Sequence, residues 1–231
     1  MKNPINRLAP FWLLLVVSVA ISCQGRNGSE SKNQADSLSA SVIDTSLDVI
    51  NKKISEDPTN PELLHSRALL YIDLKRFEEA LTDMRSVLSL DSTKSAYYIT
   101  MADLSMAANR TFNAKMFLER AITLDPENHE ASLRLAELNF IVRRYPESLE
   151  ILNKLISKDK SDTTALLMRG FIYKENGDTN RAISDFRTAV ESNPEFYSAY
   201  HQLGMIFQLR NGNHFHYSGI KIYCSGYVWY A

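Results

Sequence analysis

The sequence predicts an all-α solenoid built from antiparallel helical hairpins that repeat every 34 residues. The first observation is that several residue series share this period. The series of small residues consists of Ala68, Ala102, Ala136, Gly170 and Gly204. The second observation is helical spacing, because Leu64, Ala68 and Tyr71 fall on one helix face. The third is composition: 45% hydrophobic residues, 8 Gly and 7 Pro in 231 residues are typical of a globular chain.

Residues 1–22 have the pattern of a secretory signal. Two basic residues precede an apolar run over residues 8–21, which is shorter than the ~20 residues of a membrane-spanning helix. The run ends in Ala20-Ile21-Ser22-Cys23, which resembles the lipobox of bacterial lipoproteins. The resemblance implies cleavage before Cys23 and a diacylglycerol on its sulfur, an anchor whose two acyl chains bind a membrane durably. The alternative is an ordinary signal peptide that happens to contain a cysteine.

The next two segments lead into the repeats. Residues 23–41 are polar, with Leu38 as the one large aliphatic side chain, so we expect a flexible tether. A helix over residues 43–55 is predicted to follow. It lies in register with the second half of an incomplete repeat, so residues 42–60 form an N-terminal half-repeat that ends near Pro58.

Four complete repeats are predicted at residues 61–94, 95–128, 129–162 and 163–196. Lys75-Arg76 and Gly177-Asp178 break the helical pattern into hairpins. Pro126 and Pro194 end second helices, since proline lacks the N–H and clashes with the preceding turn. One hairpin cannot bury both of its faces, so neighbouring repeats must stack into a continuous core.

The fourth repeat carries the most complete motif, which consists of Leu166, Gly170, Tyr173, Ala182, Phe186 and Pro194. This motif resembles the tetratricopeptide repeat, and the resemblance extends over roughly residues 43–209. It implies a right-handed superhelical array that binds other proteins rather than catalysing a reaction.

The period fails after Leu209. A fifth repeat begins at residues 197–209, but the alanine expected 34 residues after Ala182 is His216. We expect an irregular aromatic tail at residues 210–231, and favour a truncated or frameshifted version of a longer array. A native tail that is short and β-like, or disordered, is the alternative.

The resemblance also implies a binding surface, because partners of this family commonly bind the concave face made by the first helix of each hairpin. The residues predicted to line it are Leu69, Ile72, Ile99, Asp103, Met106, Leu133, Glu137, Phe140, Leu167 and Phe171. A solvated face should be mostly polar, so this apolar strip with carboxylates predicts a groove for a segment with basic residues beside apolar anchors. Alternatively, some of these residues contact a neighbouring repeat or a C-terminal helix folded into the groove.

No pattern for catalysis occurs in the sequence. The five histidines are scattered without metal-ligand spacing, and no nucleophile motif or phosphate-binding glycine loop is present. We therefore expect no catalytic residue, cofactor or metal; His214, His216 and Cys224 form only a weak metal-ligand pattern. With a net charge of −1, nucleic acid is not an expected partner, and neither is a small-molecule substrate.

These observations predict a lipid-anchored adaptor or scaffold whose partners are other bacterial envelope proteins or peptides. Gln24 stands where Asp favours inner-membrane retention, so we expect the outer membrane, on its periplasmic or its external face. One alternative is a lipoprotein that binds glycans or peptidoglycan fragments through the aromatic tail. The other is the sensory fragment of a longer signalling protein.

Overall fold

The computed structural model describes residues 45–211, 214–217 and 220–223, with side chains described for residues 45–207. The predicted signal, Cys23 and tether lie outside the described residues. Ten helices occur in the described part of the chain. They are α1 (residues 45–56), α2 (Pro61–Asp73), α3 (Phe77–Leu90), α4 (Ser95–Ala107), α5 (Thr111–Leu124), α6 (His129–Ile141), α7 (Tyr145–Lys158), α8 (Thr163–Glu175), α9 (Thr179–Ser192) and α10 (Tyr197–Asn211). The predicted helical solenoid is confirmed.

Helices α2 to α9 form four hairpins, and each hairpin packs against the next. The first helix of each begins 34 residues after the one before, at Pro61, Ser95, His129 and Thr163, and α10 begins at Tyr197. Below, these hairpins are called repeats one to four. Because each second helix packs on its own first helix and on the next one, the core runs through the stack rather than sitting in one centre.

The hairpin turns share one backbone geometry. Each contains a residue with positive φ: Lys75 (60°), Asn109 (57°), Arg143 (60°) and Gly177 (78°). In the first turn the N–H of Arg76 donates to the Tyr71 carbonyl at 2.8 Å, which satisfies a carbonyl at the end of α2. Three of these left-handed positions are not glycine, so the turn geometry is set by the packing of the two helices.

The small residues at the 34-residue spacing let the two helices of each hairpin approach closely. Ala68, Ala102 and Ala136 are at most 1% exposed. In repeat four, a Cβ added to Gly170 would lie 2.4 Å from Cε1 of Phe186, so the large buried ring of Phe186 requires a glycine opposite it. In repeat three Ser148 takes a position that is alanine in the other repeats, and its hydroxyl donates to the Ala136 carbonyl at 2.7 Å.

Two strands follow the last helix. β1 (His214–Tyr217) and β2 (Ile220–Tyr223) pair antiparallel, with His214 opposite Tyr223. This backbone corresponds to the β-like alternative for the tail; the cause of the lost repeat pattern stays a prediction. Within the described residues, no helix has both the length and the apolar character needed to cross a bilayer.

Candidate protein-binding groove

The first helices α2, α4, α6 and α8 lie side by side and together make one face of the array, here called the groove face. Each contributes residues from equivalent positions of its repeat. Of the ten predicted residues, the structure leaves eight half-buried. They are Leu69, Ile72, Asp103, Met106, Leu133, Glu137, Phe140 and Phe171.

Ile99 and Leu167 are placed differently from the prediction of an open strip, because they are only 6% and 5% exposed. Ile99 belongs to an apolar cluster with Ala121 and with Ala131 of the following repeat. Leu167 belongs to the core cluster that includes Leu203 of α10. These two side chains are therefore covered by neighbouring elements, which is the alternative weighed for the strip, and they offer little surface to a partner.

The aromatic residues of the groove face are partly fixed by the core. The Phe171 ring meets the fully buried Phe186 ring edge to face, with centroids 5.8 Å apart. The Phe140 ring lies 5.8 Å from that of Tyr145 in a tilted arrangement. Both rings are thus partly packed and partly exposed, so a partner would meet apolar side chains that are already held in place.

A carboxylate cluster occupies the middle of the groove face. The Arg134 guanidinium lies 3.6 Å from Asp103 Oδ2, 3.7 Å from Glu137 Oε2 and 3.9 Å from Glu130 Oε1. One cation cannot neutralise three carboxylates, so the cluster keeps an excess of negative charge. Burial raises the pKa of Asp103, an effect that Arg134 opposes and Glu130 reinforces.

The N-terminal end of the groove face carries a network of contacts between the first two repeats. His65 Nε2 lies 2.8 Å from the Thr100 hydroxyl, and its ring meets Tyr97 edge to face at 5.0 Å. Burial lowers the pKa of His65. The Tyr97 hydroxyl donates to Glu62 Oε1 at 2.8 Å, and Lys94 pairs with the same carboxylate.

The opposite end carries a cation. Lys174 Nζ donates to Gln202 Oε1 at 2.7 Å and lies 5.6 Å from the centre of the Phe171 ring. Burial lowers the pKa of Lys174, and burial together with Lys174 lowers the pKa of His201. The sequence interpretation did not single out Gln202, a buried amide in a helix whose other buried residues are mainly apolar. That polar exception is the signal that could have found it.

Among the described residues, no group of three or more His, Cys, Asp or Glu side chains is placed to hold a metal ion. The side chains of His214, His216 and Cys224 lie outside the described part, so their weak pattern stays a sequence observation.

Two family profiles match this chain, and both describe the tetratricopeptide repeat. One tetratricopeptide repeat profile matches residues 61–94 and 163–196, and a second matches residues 101–163. Tetratricopeptide repeat protein 13 of Homo sapiens is 23% identical over 176 residues, which cover 74% of this chain and 20% of the human protein. The chain thus spans about a fifth of that relative's length.

Two solved structures show the same fold. A tetratricopeptide repeat protein from Parabacteroides merdae has a TM-score of 0.64 at 22% identity, and the match covers 75% of this chain and 68% of the Parabacteroides chain. YrrB, described as a TPR protein with an unusual peptide-binding site, has a TM-score of 0.57 at 17% identity, covering 74% and 89%. The repeat profiles together match more than half of the residues. The chain therefore belongs to the tetratricopeptide repeat family, whose arrays mediate protein–protein interaction and are typically not catalytic.

Proposed function

We propose that this protein is a lipid-anchored adaptor of the bacterial envelope, which holds a segment of a partner envelope protein on its groove face. The observation that carries the proposal is the combination of half-buried apolar side chains with a carboxylate cluster that Arg134 only partly neutralises. Such a surface favours a segment that places basic residues beside apolar anchors.

The charge distribution gives the partner segment a direction. Its basic residues would lie over Asp103 and Glu130, where the excess negative charge is, and its apolar anchors over Phe140 and Phe171. A carboxylate or a backbone carbonyl would lie near Lys174, the cation at the far end. The peptide-binding site described for YrrB, which shares the fold, supports a peptide as the class of ligand.

Membrane attachment rests on the sequence motif that ends at Cys23, and the outer membrane on Gln24. Incorporation of labelled palmitate in growing bacteria, abolished by Cys23→Ser, tests the anchor, and processing sensitive to globomycin tests the cleavage. If the wild-type protein takes up no label and its processing ignores globomycin, the chain is not a lipoprotein.

Crosslinking in intact cells followed by mass spectrometry identifies the partner, and variants then locate its site. Leu133 and Phe171 pack against the core, so acidic substitutions there would also disturb folding. Leu69→Asp with Glu130→Lys is the better pair, since Glu130 is exposed and Leu69, although half-buried, is not among the side chains packed on the core cluster of repeat one. We expect at least tenfold weaker binding of the crosslinked partner, because an apolar contact is lost and a carboxylate is reversed.

The control also replaces one apolar residue with aspartate and one glutamate with lysine, but on second helices. Met116 and Glu150 are both exposed and occupy equivalent positions of α5 and α7. Met116→Asp with Glu150→Lys should leave binding within about twofold. Equal losses in both double variants, or no loss in the first, would show that the partner does not use the groove face.

A further inference from the structure

A cleft in repeat three arises from a single small residue at a position that is large in the other repeats. The fourth residue of each repeat is Leu64, Tyr98, Ser132 or Leu166 in chain order. Leu64 and Leu166 are buried in the core, and Tyr98 is half-buried. Ser132 therefore leaves space that its three counterparts fill.

Repeat two shows what fills this space when the residue is aromatic. The Tyr98 ring lies against the Phe117 ring, with centroids 6.4 Å apart, and the Arg120 guanidinium carbon lies 5.9 Å from the Tyr98 ring centre. The Tyr98 hydroxyl donates to the backbone carbonyl of Ser92 at 3.2 Å. The tyrosine thus has an apolar wall, a cation beside its ring and an acceptor for its hydroxyl.

Repeat three lacks the ring and has other side chains at the equivalent surrounding positions. A cleft of about 90 Å³ lies between the start of α6 and the end of α7. Residues 34 positions after those around Tyr98 line it: Ile151 replaces Phe117, Lys154 replaces Arg120 and Pro126 replaces Ser92. Leu155 completes the apolar wall.

We propose that this cleft receives a tyrosine side chain of a partner protein. The ring would lie against Ile151 and Leu155, as the Tyr98 ring lies against Phe117. Lys154 would approach its face, and the backbone carbonyl of Pro126, the counterpart of the Ser92 carbonyl, would accept from its hydroxyl. An engineered apolar cavity of about 150 Å³ takes up benzene, so this smaller cleft, which opens to solvent, accepts the edge of a ring rather than enclosing it.

Among the charged residues at the rim of the cleft, Lys154 is the cation placed to contact the face of a bound tyrosine ring. Lys158 pairs with Glu127, and His129 Nε2 lies 2.6 Å from Asp162 Oδ2. Lys154 is exposed and has no carboxylate within 4 Å among the described residues, although its charge, after that of Lys158, helps to lower the pKa of Glu127. A cation within about 6 Å of an aromatic face attracts it, which favours tyrosine over an aliphatic side chain of similar size.

The cleft shares no residue with the ten predicted groove residues or with the carboxylate cluster, so a partner could engage either surface without the other. The test uses the full chain in detergent micelles, with isotope-labelled Ile and Leu methyl groups, titrated with N-acetyl-tyrosinamide. We expect shifts of the Ile151 and Leu155 methyl signals, with a dissociation constant at least tenfold lower than for N-acetyl-leucinamide.

Two variants connect the shifts to the cleft. Ser132→Tyr copies repeat two and fills the space from within, so the tyrosine probe should no longer shift the Ile151 methyl signal. Lys154→Ala leaves the cleft open but removes the cation. It should weaken binding of the tyrosine probe about threefold and leave binding of the leucine probe unchanged. This variant keeps the test valid if Ser132→Tyr misfolds. Met116→Tyr, on the exposed face of α5, is the control that adds a tyrosine elsewhere.

The proposal fails if the two probes bind equally, or if Ser132→Tyr folds and still binds the tyrosine probe. Sedimentation of the unliganded chain tests whether another copy of this chain occupies the cleft instead. If the chain is a dimer and Ser132→Tyr makes it a monomer, the cleft binds another copy of this chain, and the assignment to a partner protein is overturned.

Discussion

Replacing Asp185 with alanine leaves the Arg169 guanidinium buried without its partner carboxylate. Arg169 Nε and Nη2 donate to the two carboxylate oxygens of Asp185 at 2.8 and 2.7 Å, and Nη1 donates to Asn153 Oδ1 at 2.7 Å. The side chains of Arg169 and Asp185 are 20% and 8% exposed. Removing one member of a buried pair costs about 3–5 kcal/mol, because the remaining charge has lost its compensation. Since Arg169 keeps some contact with water and its bond to Asn153, we expect the lower end of that range.

Repeat three provides the matched control. Its residues equivalent to Arg169 and Asp185 are Leu135 and Ile151, an apolar pair that packs together. The double change Arg169→Leu with Asp185→Ile should therefore cost less than about 1 kcal/mol or stabilise the chain, because replacing both members of a buried ion pair with apolar residues is often neutral or favourable.

Urea unfolding followed by far-ultraviolet circular dichroism measures both free energies of unfolding. At a slope of about 2 kcal/mol/M, a loss of 3 kcal/mol moves the midpoint by about 1.5 M. The slopes must agree between variants, since a repeat array can unfold in parts. If Asp185→Ala and the double variant lose the same free energy, the loss does not come from an uncompensated charge, and the reasoning is refuted.

Three further predictions follow from packing and charge. Gly170→Ala should cost about 1–3 kcal/mol, because the new Cβ overlaps the Phe186 ring, and Phe186→Leu should restore most of the urea midpoint, since Ala136 and Leu152 form that pair in repeat three. Additive losses in the double variant would contradict this. Ser148→Ala should change the free energy of unfolding by less than about 1 kcal/mol, because one neutral hydrogen bond is lost at a site where alanine fits in the other repeats; a larger loss would mean that the hydroxyl supports the hairpin. Asp103→Asn should stabilise the chain at pH 7 and not at pH 3: the raised pKa of Asp103 means that its ionisation costs folding stability as pH rises from 3.8 through the folded-state value. An equal midpoint difference at both pH values would exclude ionisation as the cause.

The fold could be predicted because the 34-residue period and the helical spacing report the same packing. Small residues such as Ala68 and Ala102 recur where the two helices touch, and this contact is local to each hairpin. The groove face was harder to predict. Ile99 and Leu167 share a repeat position with the half-buried Leu133, so position alone does not distinguish them. Their burial depends on the shape of the next repeat, which a single-repeat pattern does not contain.

The carboxylate cluster shows a related limit. Arg134 and Glu137 lie three residues apart on α6, but the pair between Arg134 and Asp103 of α4 arises only when two repeats stack at a definite offset. The period predicts that the helices are neighbours, but not which long side chains meet. Ser132, in contrast, could have been noticed from the sequence, because it is the one small residue in a series of large ones.

The repeats divide into two packing types, and the division explains where surface variation occurs. In repeats one and four an arginine bonds to an aspartate of the same repeat and to an asparagine of the preceding helix, at 16-residue intervals: Asn51-Arg67-Asp83 and Asn153-Arg169-Asp185.

In both of these repeats the fourth residue is a buried leucine, and the aspartate takes the position equivalent to Ile151, which lines the cleft together with Ser132. Repeats two and three replace the arginine and aspartate with apolar residues, and there the fourth residue is Tyr98 or Ser132. Where no ion pair has to be shielded from water, the fourth residue can be a large half-buried ring or a small side chain. The cleft beside Ser132 can exist in repeat three because Leu135 and Ile151 need no carboxylate shielded from water, whereas the same opening in repeat four would expose the Arg169–Asp185 pair.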